Sequence, residues 1–189
     1  MEIFIPVKKY TDSKERLSTI LSKEERALLA EKMALKTVNA FLNIDINAHI
    51  ILISNDPQLA IDGATTFVTD SSLNAAIHEA ISNSQHSGLI MIAHADLPRI
   101  NTQDIESIIK EHNSETVTII SDESGTGTNS LLFDSSIIFN LKFGQNSFAL
   151  FQKEFTAHDI PWRSPPWISM QQDLDSSDDY FKLIEYINA

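Results

Sequence analysis

Gly88-Leu89-Ile90-Met91-Ile92-Ala93-His94-Ala95-Asp96-Leu97-Pro98 decides how the rest of the chain is read. An apolar run without alternation is what a strand buried on both faces requires, and it stops at a carboxylate followed by a proline that cannot extend the ladder. Asp96 therefore ends a buried strand. In open α/β sheets ligands bind at that edge, because the loops leaving the strands form a crevice there. A carboxylate fixed by Leu97-Pro98 suits a magnesium ion that also holds a nucleotide's phosphates. The plainer alternative, that Asp96 caps the following helix, carries equal weight from this stretch alone.

At 189 residues the chain fits one α/β domain with a full core, so residues 1–189 are read as a single domain. There is no cysteine, which removes disulfides, thiolate nucleophiles and thiolate zinc sites together. The start, Met1-Glu2-Ile3-Phe4-Ile5, is strand-like rather than signal-like, and no apolar run has membrane-spanning length. A cytoplasmic protein with no membrane partner is the expectation. A formal net charge of −12 argues against a nucleic-acid partner. Small anionic substrates remain open through a local basic patch: Lys8, Lys9, Lys14, Arg16, Lys23 and Arg26 are six of the 14 basic residues. A solvated helix face accounts for Lys23 and Arg26 without function.

Outward from the central stretch, strands and helices alternate. Ile3 to Val7 and His49 to Ser54 read as strands, with a capping box at Ser22-Lys23-Glu24-Glu25 opening the long helix between them. Leu28, Leu35, Val38 and Leu42 predict its apolar face. Thr66 to Thr69 is a short strand, and Leu73, Ala76, Ile77, Ala80 and Ile81 mark the next helix. Thr102 to Lys110 is helical, and Thr116 to Ser121 returns as a strand. The alternation predicts a mainly parallel sheet covered by helices. After residue 122 two short strands are expected at Leu131-Leu132-Phe133 and Ile137-Ile138-Phe139, then a helix from Ser147 to Ala157. Trp167-Ile168-Ser169-Met170 reads as a last edge strand before a final helix through Ile187. Three of the five glycines lie between 125 and 144, which concentrates unusual backbone geometry there.

Several chemistries can be set aside. The chain has no Gly-x-x-x-x-Gly-Lys-Ser/Thr loop and no Gly-x-Gly-x-x-Gly fingerprint. None of the six histidines has a partner at helix spacing suited to zinc, and His94 near the strand end reads more readily as a buried hydrogen-bonded side chain than as a ligand contact. Ser147 lacks a nucleophile-elbow context. What remains is Asp96, the pair Asp173 and Asp175, a basic N-terminal loop and the stretch Gly125-Thr126-Gly127-Thr128-Asn129, which is either a phosphate-holding wall or a surface hairpin turn. Together they fit a magnesium-dependent transfer to or from a phosphate.

The order of motifs resembles the 2-phospho-L-lactate and phosphoenolpyruvate guanylyltransferases of deazaflavin coenzyme F-420 biosynthesis. The resemblance rests on Ile5-Pro6-Val7-Lys8, Lys14-Glu15-Arg16-Leu17, Leu21-Ser22-x-Glu24-Glu25-Arg26, Ala95-Asp96-Leu97-Pro98, Gly125-Thr126-Gly127-Thr128-Asn129, Phe143-Gly144-x-x-Ser147-Phe148 and Asp173-Leu174-Asp175, which span nearly the whole chain. It implies a single-domain α/β nucleotidyltransferase fold of the glycosyltransferase-A type, with a mainly parallel, mixed sheet. It also implies GTP and magnesium as cosubstrates. Asp96 matches the family's metal-binding aspartate and Asp173 or Asp175 a second acidic ligand. Thr128, Gly144 and Ser147 fall where the phosphorylated three-carbon acid is held. Lys8 and Lys14 match lysines facing the triphosphate, while Pro6 and Asn74 lie in nucleotide-binding motifs. A homodimer is a further expectation at the level of the family. The chain departs from the pattern at Ser72, where glycine is usual, at Gln145-Asn146, where Pro-Gly is usual, and at Phe151, where histidine is common.

Two alternatives stand beside this reading. One is a molybdopterin-type nucleotidyltransferase, against which stands the absence of a Gly-Gly-containing N-terminal loop. The other is a non-catalytic nucleotide-binding domain, against which stands the cost of clustered acids that have no cation.

Overall fold

A computed structural model describes residues 1–84 and 87–188. The central element is a seven-stranded sheet: β1 (Glu2–Pro6), β2 (His49–Ser54), β3 (Ala64–Val68), β4 (Leu89–Ala93), β5 (Val117–Ser121), β6 (Thr128–Asp134) and β7 (Trp162–Arg163). Their spatial order is β3-β2-β1-β4-β6-β5-β7, with β6 antiparallel to both its neighbours and the other pairs parallel. The expected mixed, mainly parallel sheet is therefore present. The order turns back between β1 and β4, which opens a crevice at their carboxyl ends. Lys8 follows the first of these strands and Asp96 the second.

Strand alternation divides the core in two. Ile3, Ile5, Ile50, Leu52, Met91 and Ala93 face α1 (Lys23–Leu42) and α3 (Thr102–Glu111). Phe4, Ile51, Ile53, Ile90 and Ile92 face α2 (Leu73–Asn83) and α4 (Ser147–Ala157). Because both faces are covered, the strands can be apolar throughout. A short α5 (Ile168–Gln171) and a final α6 (Ser177–Asn188) complete the chain; Leu183 and Ile187 of α6 are buried, the latter with Leu29 and Met33 of α1.

The capping box forms as the sequence requires. The Glu25 amide donates to Ser22 Oγ at 3.2 Å, and the Ser22 amide donates to the Glu25 carboxylate at 2.8 Å. The buried face of α1, however, is not the predicted one. Leu28, Leu35 and Leu42 are 65%, 39% and 41% exposed, and only Val38 of that set is buried. Ala30, Met33, Ala34, Thr37 and Phe41 turn inward instead, because small alanines let the helix backbone approach the sheet more closely than leucines would.

Two further expectations are corrected. Ile137-Ile138-Phe139 is not a strand: β6 already has β4 on one side and β5 on the other, so no free edge remains to pair with it. Phe139 instead packs edge-on against Phe133 at 4.9 Å and Phe155 at 5.2 Å, while Ile138 is 86% exposed. Residues 167–170 do not form the edge strand either. β7 takes that edge, and Ile168–Gln171 coils as α5, burying Met170.

Candidate functional site

The carboxyl ends of β1 to β4 enclose a cleft of about 630 Å³. Pro6, Lys8, Lys14, Asp96 and Asp175 line it, so five of the residues singled out in the sequence share one cleft. Lys14 is the joint between them. Its backbone is left-handed, with φ of 55°, between two 3₁₀ turns at Tyr10–Asp12 and Glu15–Leu17. That conformation carries the side chain inward. The ammonium donates to Asp96 Oδ2 at 2.7 Å and to the Leu174 carbonyl at 2.5 Å, and stands 4.0 Å from Asp175. The Leu174 amide in turn donates to the Asp96 carbonyl at 3.1 Å. Segments 82 and 160 residues from Lys14 are thus tied to one cation.

The pair is not a surface ion pair, since the Lys14 side chain is 9% exposed and that of Asp96 24%. Burial is the largest influence on Asp96 and opposes its charge, but the Lys14 ammonium and its hydrogen bond, with His94 beside them, together outweigh it. They hold the carboxyl below the ordinary aspartate range. Asp96 Oδ1 is buried without a hydrogen-bond partner. Asp173 behaves in the opposite way. Burial, then the charges of Asp96 and Asp175, push its carboxyl up to about 7. With Lys14 bonded to Asp96 and Arg16 to Asp175, one Asp96 oxygen is still orphaned and Asp173 still feels the charges of both neighbours, and a divalent cation would relieve both. Among the described residues no set of three acidic or histidine side chains is already arranged to hold a metal. Magnesium needs only one or two protein carboxylates and completes its shell with waters and phosphate oxygens. The residues present fit the ion.

Lys8 is more available than Lys14, being 62% exposed with its nearest acid, Glu15, at 4.0 Å. Arg16, which the sequence marked only as part of the N-terminal basic patch, lines the cleft and bonds Asp175 at 3.1 Å. Asp173 faces a second hollow of about 420 Å³, shared with Asp175, Arg16 and Asp122.

The residues expected to hold the acid gather elsewhere. Thr128 begins β6 with its hydroxyl buried and unpartnered, and Ser147 begins α4 at 1% exposure. The Phe148 amide donates to the Thr126 carbonyl at 3.1 Å, which brings the start of α4 onto the 122–127 turn. Gly144 lies in the loop before α4 with φ of 130°, and no atom lies within 4 Å of where a Cβ would stand. Gly125-Thr126-Gly127 is indeed a hairpin turn, between β5 and β6, and it is also the wall beside α4.

None of these three lines the main cleft; His94 makes the connection. His94 is in the cleft wall, its ring lies 5.5 Å from Phe143, and its amide donates to the Asn129 carbonyl at 2.9 Å. Its Nε2 is buried and unpartnered, which sets it apart from the satisfied core histidine expected. Asn74 also lies outside the cleft lining. Its amide nitrogen donates to the Phe143 carbonyl and its oxygen accepts from the Phe143 amide, both at 2.9 Å. That clamp joins the start of α2, beside the cleft, to the loop carrying Gly144.

Comparison with known proteins decides the family. A family model described as guanylyl transferase, CofC-like, matches residues 1–175. The chain belongs to this guanylyl transferase family. A 2-phospho-L-lactate guanylyltransferase from Methanocaldococcus vulcanius is 31% identical over 160 residues, covering 82% of this chain and 70% of the relative. A phosphoenolpyruvate guanylyltransferase from Roseiflexus is 26% identical, covering 96% and 83%. Against the Methanocaldococcus vulcanius, FS406-22 and jannaschii relatives the match spans between 65% and 70% of the relative's own length. In architecture the guanylyl transferase chain is similar to a nucleotidyl transferase from Methanothermobacter thermautotroptrophicus, at a TM-score of 0.67 and 10% identity over 99% of this chain and 97% of that one. It is also similar to 4-diphosphocytidyl-2C-methyl-D-erythritol synthase from Anaerococcus prevotii, at 0.62 and 9% over 100% and 96%. At such identities these two establish the nucleotidyltransferase fold. No helix among the described residues is long and apolar enough to cross a membrane.

Proposed function

We propose that the protein joins GMP from GTP to a phosphorylated three-carbon acid with release of pyrophosphate, using magnesium. The acid is 2-phospho-L-lactate, phosphoenolpyruvate or 3-phosphoglycerate, and the product is the linker precursor of the deazaflavin coenzyme F-420. The observation that carries this reading is the Asp96 carboxylate at the end of β4, with one oxygen on Lys14 and the other buried and unpartnered.

The acid's phosphate monoester has a second pKa of about 6, so the nucleophile is largely ionised at neutral pH. Its oxygen attacks the α-phosphorus of GTP, the bond to the β-phosphate oxygen breaks, and pyrophosphate leaves. No proton has to be removed, so the reaction asks for no general base. The protein's task is to align two anions and offset the charge gathering on pyrophosphate. Lys8, the less encumbered cation, faces the triphosphate, and Lys14 holds Asp96 and the 174–175 segment in place. Thr128, Gly144 and Ser147 hold the acid, and the Asn74 clamp sets their loop relative to the nucleotide. Magnesium, when held by Asp96 with Asp173 or Asp175, supplies a Lewis acid beside the phosphates.

The test uses purified protein, magnesium and GTP with each of the three acids separately, following pyrophosphate release. Release with one acid names the substrate, and Asp96→Asn then abolishes it. Silence with every acid and every nucleoside triphosphate returns the protein to a nucleotide-binding domain without turnover.

A further inference from the structure

We infer that Asp70 and Asn55 read the base of the nucleotide, and that together they select guanine. The inference rests on the guanylyl transfer reading above and adds the basis of its base choice. β2 and β3 run parallel with Ser54 opposite Val68, and the Thr69 amide donates to the Ser54 carbonyl at 2.9 Å. Asn55 and Asp70 therefore leave neighbouring strand ends side by side, and both line the cleft.

The cations of the cleft lie toward the other end of the strand order. Lys8 follows β1, and Lys14 sits on Asp96 beyond β4, three strands from β3. At the usual inter-strand spacing that separates Asp70 from Asp96 by about 14 Å, which leaves room for a ribose between a base and its phosphates. A triphosphate goes to the cations, and the uncharged base goes to the β2 and β3 end.

Of the carboxylates lining the cleft, Asp12 accepts from the Thr11 hydroxyl, Glu15 faces Lys8, and Asp96 and Asp175 are held by Lys14 and Arg16. Among the described residues Asp70 has no hydrogen bond or ion pair, and neither has the Asn55 side chain. The loop carrying Asp70 is nevertheless braced. Thr69 and Ser71 on either side both donate to the Glu79 carboxylate, at 2.8 and 2.6 Å, and the Ser71 amide donates to Thr69 Oγ1 at 3.2 Å. Two residues are spent on holding the loop, and the one between them is left free.

A free carboxylate in such a place discriminates among bases. Guanine offers N1–H and N2–H side by side, which match the two oxygens of Asp70, and its O6 accepts from the Asn55 amide. Adenine and cytosine present a ring nitrogen acceptor to the carboxylate, and uracil a single N–H flanked by carbonyls.

The experiment is calorimetric titration of GTP, ITP, ATP and XTP, with magnesium, onto the wild-type chain and Asp70→Asn, alongside the pyrophosphate assay. Wild type is expected to bind GTP most tightly, ITP about tenfold more weakly for want of the 2-amino group, and ATP about a hundredfold more weakly. Asp70→Asn is expected to lose about a hundredfold for GTP and to bind XTP more tightly than wild type does, because its amide donates to the xanthine O2. Equal affinity of wild type for GTP and ATP overturns the inference. So does an Asp70→Asn variant that weakens toward GTP and XTP alike, which is the signature of a loop support. Tight, guanine-selective binding without pyrophosphate release from any acid overturns the transfer reaction and leaves the base reading standing.

Discussion

Lys14 and Asp96 illustrate how a single residue pair governs the cleft. Breaking one partner of a buried pair leaves an uncompensated charge, at a cost of about 3 kcal/mol. Lys14→Met is therefore expected to lower unfolding stability by about that amount when no divalent cation is present, measured by urea denaturation. It also vacates Asp96 Oδ2 beside an Oδ1 that already lacks a partner. A ligand that binds only the folded state stabilises it by mass action. Magnesium should then raise the melting temperature of Lys14→Met more than that of wild type, and an equal response in the two would sink the assignment of Asp96 as a metal ligand. The strand-end position of Asp96 was readable from an apolar run closed by Asp-Leu-Pro. The lysine on it was not, since 82 residues separate the two and no local pattern links them. Asp70 escaped notice for a related reason. It follows β3 as Asp96 follows β4, but β3 carries Thr65 and Thr66 among five residues, where β4 is apolar throughout, and gives a weaker signal.

At the scale of elements, α2 and the loop before α4 are joined by the two hydrogen bonds of Asn74. Asn74→Ala removes both and strands the Phe143 backbone groups, so a loss of about 2 kcal/mol is expected. If the clamp sets the acid pocket, the KM for the acid rises more than that for GTP; equal changes would show that the clamp serves the fold alone. The far end of the sheet carries a pH response. His112 closes α3, its Nδ1 lies 2.9 Å from Thr118 Oγ1, and burial, then the Arg163 charge, lowers its pKa against the opposing pull of Asp134. The unfolded chain then takes up this proton before the folded one does, so the contribution is full above about pH 6.5 and is lost as the pH falls below it. Wild type minus His112→Gln stability, measured by urea unfolding, should shrink from pH 7 to pH 5. A constant difference would mean that the imidazole titrates alike in both states. Of the elements themselves, α4 and β2 have the boundaries read from the sequence, because a glycine-containing loop and a turn at Asn55-Asp56-Pro57 mark them locally.

Across the whole molecule, the C-terminal part is what closes the site. The Asn129 amide donates to the Met170 and Gln171 carbonyls, Arg99 bonds Gln172 and covers the Tyr186 ring at 4.6 Å, and Lys182 pairs with Glu123. These contacts fasten residues 170–187 across the ends of β4 to β6, so that Asp173 and Asp175 arrive beside Asp96. Ile187→Ala opens a cavity between α6 and α1, and a loss of about 2–4 kcal/mol in urea unfolding is expected. A wild-type-like midpoint would show that α6 adds nothing to the fold's stability. Sequence alone determined the parallel α/β layout, the strand-end carboxylate, the helix start at Ser22 and the order of motifs, because each is written in short-range spacing. The tertiary structure alone decided which face of α1 is buried, that residues 137–139 stay out of a sheet with no free edge there, and that residues 168–171 coil. It also decided that Asp173 holds its proton near neutrality. Each of these depends on what a distant part of the chain already occupies, whether a sheet edge, a packing surface or the space around a charge.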